Sequence, residues 1–167
     1  ERLPKVRLHI MGGVDDEEYG AECHALVETL GVRDLTFTGR VNVVEYMEKL
    51  DFTILTSISE GQPLSVLESL AARRPCVTTE VGCCRELLEG APGDDFGVAG
   101  FVTPPMYRKG LADAMERMCT SRARRIEMGE RGQRRVATYF LHEQMLANYR
   151  ALYDETAQAF DLPREGE

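Results

Sequence analysis

Nothing in this 167-residue chain approaches the ~20 consecutive apolar residues that a membrane-spanning helix needs, and no basic-then-apolar leader opens it. There is no excess of positive charge either. Lys and Arg number 20 against 28 Asp and Glu, a net charge of −8, which speaks against a nucleic-acid face. The one basic cluster, Arg122, Arg124, Arg125, Arg131, Arg134 and Arg135, is interleaved with Glu127 and Glu130 and reads as a solvated, salt-bridged helix face. No C-x-x-C pair occurs. The five cysteines are odd in number, with Cys83 and Cys84 adjacent, which suits reduced thiols in a cytoplasmic protein better than a disulfide framework or a zinc site. His9, His24 and His142 fall on a strand and two helices, far apart, and form no ligand cluster. Internal repeats and low-complexity segments are absent as well. The opening Glu1-Arg2-Leu3-Pro4 reads as the interior of a longer chain, so a preceding N-terminal portion is expected.

What is present is a globular composition, 43% apolar and 29% charged, long enough for one domain with a real core. We expect that domain over residues 1–160 and a disordered tail over 161–167. Apolar runs at Val6–Met11, Leu35–Gly39, Phe52–Ser57, Pro75–Thr79 and Gly100–Thr103 read as strands. Helical spacing covers 15–30, 43–50, 63–72 and 85–89, then 107–119, 121–139 and 141–160. Strands alternating with helices predict an α/β domain: a doubly wound, Rossmann-like parallel sheet of five to six strands, extended by C-terminal helices. Leu111, Met115 and Met118, and Met145, Leu146, Tyr149, Leu152 and Tyr153, read as core positions.

The stretch from Ser57 to Glu68 stands where the third strand ends and the next helix begins. In an open α/β sheet that junction is where ligands bind, because the strand's carboxyl end meets the free N–H groups of the helix. With Pro63 as first helical residue, the free donors belong to Leu64, Ser65 and the Gly61–Gln62 turn, and Gly61 lets a ligand approach the backbone. Leu64, Leu67, Leu70 and Ala71 make the expected buried stripe, with Glu68 on its shoulder. Glu60 precedes the turn and Glu68 follows it, with seven residues between them. Taken alone, the two glutamates also suit a first-turn acid and a surface residue, and this spacing is common. Beside the same cleft, Glu86 reads as a cap or loop-fixing group, and Arg85 as either a surface residue or a phosphate contact.

Glu60-Gly61-Gln62-Pro63-Leu64-Ser65-Val66-Leu67-Glu68-Ser69-Leu70-Ala71-Ala72 resembles the E-G-x-x-L-x-x-L-E-A-M-A signature of family-4 retaining glycosyltransferases with the GT-B fold. Further segments match in order. Phe37-Thr38-Gly39 resembles the family's F-x-G strand, and Leu50 to Ser57 its A-D-v-x-v-x-x-S strand. Pro75 to Glu86 resembles P-V-V-A-T-D-V-G-x-x-x-E-L, Met128 to Gly132 resembles M-G-x-x-G, and Tyr149 to Tyr153 the closing tyrosine helix. The wording around Ser57–Glu60, Gln62–Leu64 and Cys84–Leu87 is closest to the subgroup that makes Pel-type exopolysaccharide.

The resemblance implies that the chain is the donor-binding half of a GT-B enzyme using a nucleotide-diphosphate sugar such as UDP-glucose. Glu60 would be the catalytic-site carboxylate meeting the donor sugar's hydroxyls, and Glu68 would hold the ribose. Backbone groups from Gly61, Gln62, Pro63, Leu64 and Ser65 would face sugar and diphosphate. Gly39, Arg40 and Val43 would lie near the base, and Gly12 and Gly13 would border the cleft. No metal is implied, and no D-x-D stands at a strand end; Asp15-Asp16 and Asp94-Asp95 read as loop acids. The nucleotide sugar is then a substrate, with no separate cofactor. An acceptor-binding N-terminal domain and peripheral association with a polysaccharide synthase complex would be the partners. The last helix of such enzymes crosses back to the partner domain, so apolar residues between Met145 and Phe160 could belong to that interface.

Two departures stand out. Arg73 replaces the glycine that the family carries before the strand proline, at a cost of ~1 kcal/mol or more if φ is positive there. The diphosphate-binding Arg and Lys of the family would precede this sequence. The chain alone is therefore expected to bind nucleotide weakly and not to turn over. Competing readings are a non-catalytic, flavodoxin-like nucleotide-binding or regulatory module and another GT-B enzyme, such as an epimerase. A phospho-receiver would need acids at the ends of the first and third strands, where Gly12-Gly13 and Ser57 stand.

Overall fold

The computed structural model describes residues 6–160; the opening residues and the expected tail at 161–167 lie outside the described residues. The chain divides between Lys49 and Leu50 into two compact units.

In the first, β1 (Leu8–Met11) and β2 (Leu35–Gly39) pair in parallel, Leu8 opposite Leu35 and Met11 opposite Gly39. Parallel pairing requires a crossover, which α1 (Glu17–Thr29) supplies. Its start is capped by Asp16, whose carboxylate accepts the Tyr19 N–H at 3.0 Å. Its end is a Schellman motif. Gly31, at φ 60°, donates its N–H to Glu28 at 3.0 Å, and Val32 donates to Val27 at 3.1 Å. Helix α2 (Val43–Met47) follows β2. Cys23 and Val27 are half-buried, whereas Tyr19, Leu26 and Leu30 are exposed. The apolar stripe of α1 is thus narrower than the spacing predicts. His24 lies 4.1 Å from the Phe37 ring, and His9 Nδ1 is 2.6 Å from the Tyr46 hydroxyl, so both histidines serve packing.

The second unit contains β3 (Thr53–Leu55), α3 (Leu64–Ala71), β4 (Cys76–Thr79), α4 (Cys84–Glu89) and β5 (Gly100–Thr103). The chain then runs through α5 (Arg108–Cys119), α6 (Arg122–Tyr139) and α7 (His142–Ala159). The strands form a parallel sheet in the order β3-β4-β5, with Cys76 between Thr53 and Gly100. All four residues of the central strand are buried, as a parallel strand covered on both faces must be. Alternation along β4 splits the core. Cys76 packs with Val66, Leu70, Leu87, Leu88 and Ala99 from α3, α4 and the edge of β5, while Val77 packs with Ala114, Met118 and Met128 from α5 and α6.

Gly129 of α6 sits directly against the end of α3. A Cβ there would lie 2.1 Å from the Arg73 carbonyl oxygen, so no side chain fits.

Three expectations change. Arg135 does not belong to the solvated basic face, and Asp94 is not a free loop acid. Both side chains are buried and paired, Nε to Oδ2 at 2.5 Å and Nη2 to Oδ1 at 3.0 Å. The same guanidinium donates to the carbonyls of Leu87, Leu88 and Gly97, tying the end of α4 and the loop after it to α6. Every N–H vector of that fork finds an acceptor, which is what a buried arginine requires. The pairing holds the Asp94 carboxyl below its usual range. Secondly, α7 buries none of its residues: Met145, Leu146, Tyr149, Leu152 and Tyr153 are exposed rather than core. Thirdly, the buried stripe of α3 runs through Val66, Ser69 and Leu70, and Leu64 is 69% exposed. Helical spacing alone leaves the wheel free to rotate, and here the polar Ser69 is drawn in to bond the Arg74 carbonyl at 3.0 Å and the Thr53 hydroxyl at 2.7 Å.

Candidate functional site

The residues singled out by the sequence fall into one group in each unit. In the first unit Gly12, Gly13, Gly39 and Arg40 gather at the carboxyl ends of β1 and β2, where Gly12 donates its N–H to Gly39 at 3.0 Å. A Cβ on Gly13 would fall 2.8 Å from the Arg40 side chain, so the two are neighbours. The Arg40 guanidinium is largely solvent-exposed and reaches Asp15 at 3.5 Å. Val43 is the first residue of α2.

In the second unit Glu60, Gly61, Gln62, Pro63, Leu64, Ser65 and Glu68 surround the N-terminus of α3. Pro63 is not the first helical residue but its N-cap, with extended φ −71° and ψ 115°. Its carbonyl accepts from Val66 and Leu67 at 3.2 and 3.4 Å. The N–H groups of Leu64 and Ser65 are therefore the orphan donors at the positive end of the helix, the same two residues that the sequence points to, although the helix starts one residue later than expected. Gly61 faces open space: a Cβ there would touch nothing within 4 Å. Glu68 is exposed on the first turns of α3, and among the described residues its carboxylate has no hydrogen bond or ion pair.

Glu60 is half-buried and held. The Ser57 hydroxyl donates to Glu60 Oε1 at 2.7 Å, and the Ser57 carbonyl accepts from the Thr79 hydroxyl at 2.5 Å. Beyond it, the Gly61 carbonyl accepts the Cys83 N–H at 2.9 Å. The turn after β4 comes so close that a Cβ on Gly82, at φ 50°, would lie 2.1 Å from the Gly61 oxygen and 2.5 Å from that of Glu60. The sequence shows the V-G segment, Ser57 and Thr79 without marking a task for any of them. The signal available was the i, i+3 spacing of a hydroxyl and a carboxylate across a strand end.

Arg85 does not point at a free anion site. It donates to Glu80 at 2.8 Å and Glu89 at 2.7 Å. Glu86 caps nothing, because the N-cap of α4 is Cys83 without a side-chain bond. The Cys83 and Cys84 thiols are raised in pKa, chiefly by burial, which suppresses the thiolate. Among the described residues no group of three or more His, Cys, Asp or Glu side chains is arranged to hold a metal ion, and no helix is long and apolar enough to cross a membrane.

With this geometry in view, residues 1–121 match the family model described as glycosyl transferases group 1. The chain belongs to that family. A relative, the N-acetyl-alpha-D-glucosaminyl L-malate synthase of Bacillus anthracis, is 28% identical over 130 residues, 77% of this chain and 32% of that protein. The chain thus spans about a third of that relative's length. Solved structures agree on the fold, which is that of GT-B glycosyltransferases. The sucrose-phosphate synthase of Thermosynechococcus elongatus superposes with a TM-score of 0.82 at 23% identity, covering 95% of this chain and 40% of that one. Anabaena HepE in complex with UDP-glucose gives 0.74 at 21% identity, covering 89% and 42%. Membership in this family favours the glycosyltransferase reading over the receiver-like one.

Proposed function

We propose that this chain is the donor-binding domain of a retaining glycosyltransferase that moves a sugar from a nucleotide-diphosphate sugar to a glycan or polysaccharide acceptor. The observation that carries the reading is the pair Glu60 and Glu68 flanking the orphan N–H groups of α3. A diphosphate is an anion that suits those donors and the helix dipole. A carboxylate with no internal partner, such as Glu68, suits the two hydroxyls of a ribose, and Glu60 lies on the sugar side. Metal is not needed in this scheme: helix dipole and basic groups carry the charge of the leaving diphosphate. Because HepE was solved with UDP-glucose, that is the first donor to try.

The scheme leaves acceptor binding to a further domain of the enzyme and the diphosphate cations to residues outside this sequence, so the chain alone binds donor weakly without turning it over. The wider context that fits is exopolysaccharide synthesis of the Pel type in the cytoplasm, at the periphery of a synthase complex. A thermal-shift and calorimetric screen of UDP, GDP and ADP sugars tests the core of this reading. One nucleotide should stabilise the chain, and Glu68→Ala should weaken it at least tenfold through loss of hydrogen bonds to a charged acceptor. Stabilisation by none of them, or by one that Glu68→Ala leaves unchanged, would overturn it.

A further inference from the structure

We propose that Ser57 is a positioning residue for Glu60: its hydroxyl occupies one carboxylate oxygen and aims the other at the donor sugar. This rests on the donor-site reading above and adds a residue to it. The geometry is specific. Ser57 Oγ donates to Oε1 of Glu60 at 2.7 Å, and among the described residues Oε2 has no hydrogen-bond partner. A glutamate side chain turns about three bonds and resists being fixed. Here the terminal rotation is set by a hydroxyl three residues upstream, on backbone that is itself pinned. The Ser57 carbonyl is held by the Thr79 hydroxyl at 2.5 Å, and the far side of Glu60 is held by the Cys83 N–H on the Gly61 carbonyl at 2.9 Å. Two anchors on the chain that follows β3 both come from β4 and the turn after it, and the hydroxyl bond completes a frame around one free oxygen. Ordering the acceptor before the ligand arrives removes a cost that binding would otherwise carry.

The consequence is selective. Ser57 should matter to the sugar and not to the nucleotide, because among the described residues its only side-chain bond is to Glu60. Calorimetry of UDP and UDP-glucose with the wild-type chain, Ser57→Ala, Glu60→Gln and the double variant reads this directly. Ser57→Ala should raise the ratio of the UDP-glucose Kd to the UDP Kd on the order of tenfold while leaving the UDP Kd within about twofold. The double variant should be no worse than Glu60→Gln alone, since both remove the same aimed oxygen. Ser57→Thr, which keeps the hydroxyl, should restore the ratio. Ser57→Cys, near in volume but a poor donor, should behave like Ser57→Ala and covers the case in which alanine unfolds the strand end. If the wild-type chain binds neither ligand, the donor-site reading falls and takes this one with it. If it binds both and Ser57→Ala keeps the wild-type ratio, or weakens UDP as much as UDP-glucose, only the positioning role falls.

Discussion

Arg73 should be replaceable by glycine with a gain in stability. It occupies the C′ position of α3, at φ 58°, in a Schellman motif: its N–H bonds the Leu70 carbonyl at 2.9 Å, and the Arg74 N–H bonds that of Ser69 at 2.8 Å. Helix α1 ends in the same motif with Gly31 at φ 60°. The left-handed conformation costs an L-residue with a Cβ about 1–2 kcal/mol. The Arg73 backbone cannot relax away from it, because its carbonyl abuts the Gly129 backbone. Against that gain, glycine has more freedom to lose on folding, about 0.4–1 kcal/mol. The side chain is exposed and makes no hydrogen bond or ion pair among the described residues, so little else is lost. The balance is about 0.5–1 kcal/mol in favour of Arg73→Gly, or roughly 1–4 °C in Tm for a chain of this size. Urea unfolding, with Arg73→Ala and Arg73→Asn alongside, isolates the cause. Alanine keeps the Cβ and should gain nothing, while asparagine, which tolerates this region better, should fall between the two. If glycine and alanine prove equally stable, backbone strain is not what Arg73 costs.

The remaining predictions address the loop, the buried pair and the thiols. Gly82→Ala should cost about 1–3 kcal/mol in urea unfolding by overpacking the Glu60–Gly61 carbonyls and should weaken UDP-glucose binding in calorimetry; unchanged binding would separate the turn from the site. For Asp94, the Arg135 bonds lower the carboxyl's pKa in the fold. Its contribution is therefore complete above the unfolded value near ~3.9 and is lost as pH falls through the folded value. Asp94→Asn should destabilise by about 3–5 kcal/mol at neutral pH through the unpaired Arg135, and circular dichroism should show the gap from wild type closing as pH falls below ~4. Cys76, buried with its thiol pushed up to about 11, should resist iodoacetamide in the native chain and react fully in urea; native-state labelling would contradict its burial.

Element type and order were legible because the periodicities are strong and the turn residues punctuate them. The strand Gly100–Thr103 matches residue for residue, and α3 differs only at its ends. The rotation of α3 was not legible. Leu64 and Val66 are both apolar, and only the third-dimension partners of Ser69, namely Thr53 and Arg74, decide which faces inward. Arg135 was misread for a related reason. In a run of arginines and glutamates nothing local marks the one whose five donors meet Asp94 and three backbone carbonyls from other elements. Charge pattern reports the average environment of a helix, and a buried ion pair is an exception to that average.

The signature residues divide by physical task. Glu60, Glu68 and the N–H groups of Leu64 and Ser65 present unsatisfied polar groups, and these are the ones a ligand can use. Gly82 and Gly129 matter through distance. Gly82 lets the β4 turn close on the Glu60 carbonyl, and Gly129 lets α6 close on the end of α3. Helix α3 is thereby clamped at its C-terminal end by α6, while the loop feeding its N-terminal end is clamped by the β4 turn. An eight-residue helix has little stability of its own, so its N–H groups stay aimed only while both clamps hold. On the proposed donor-site reading, motifs such as V-G and M-G-x-x-G would bear on ligand binding through this geometry, and substitutions there should weaken binding in proportion to how far they release α3.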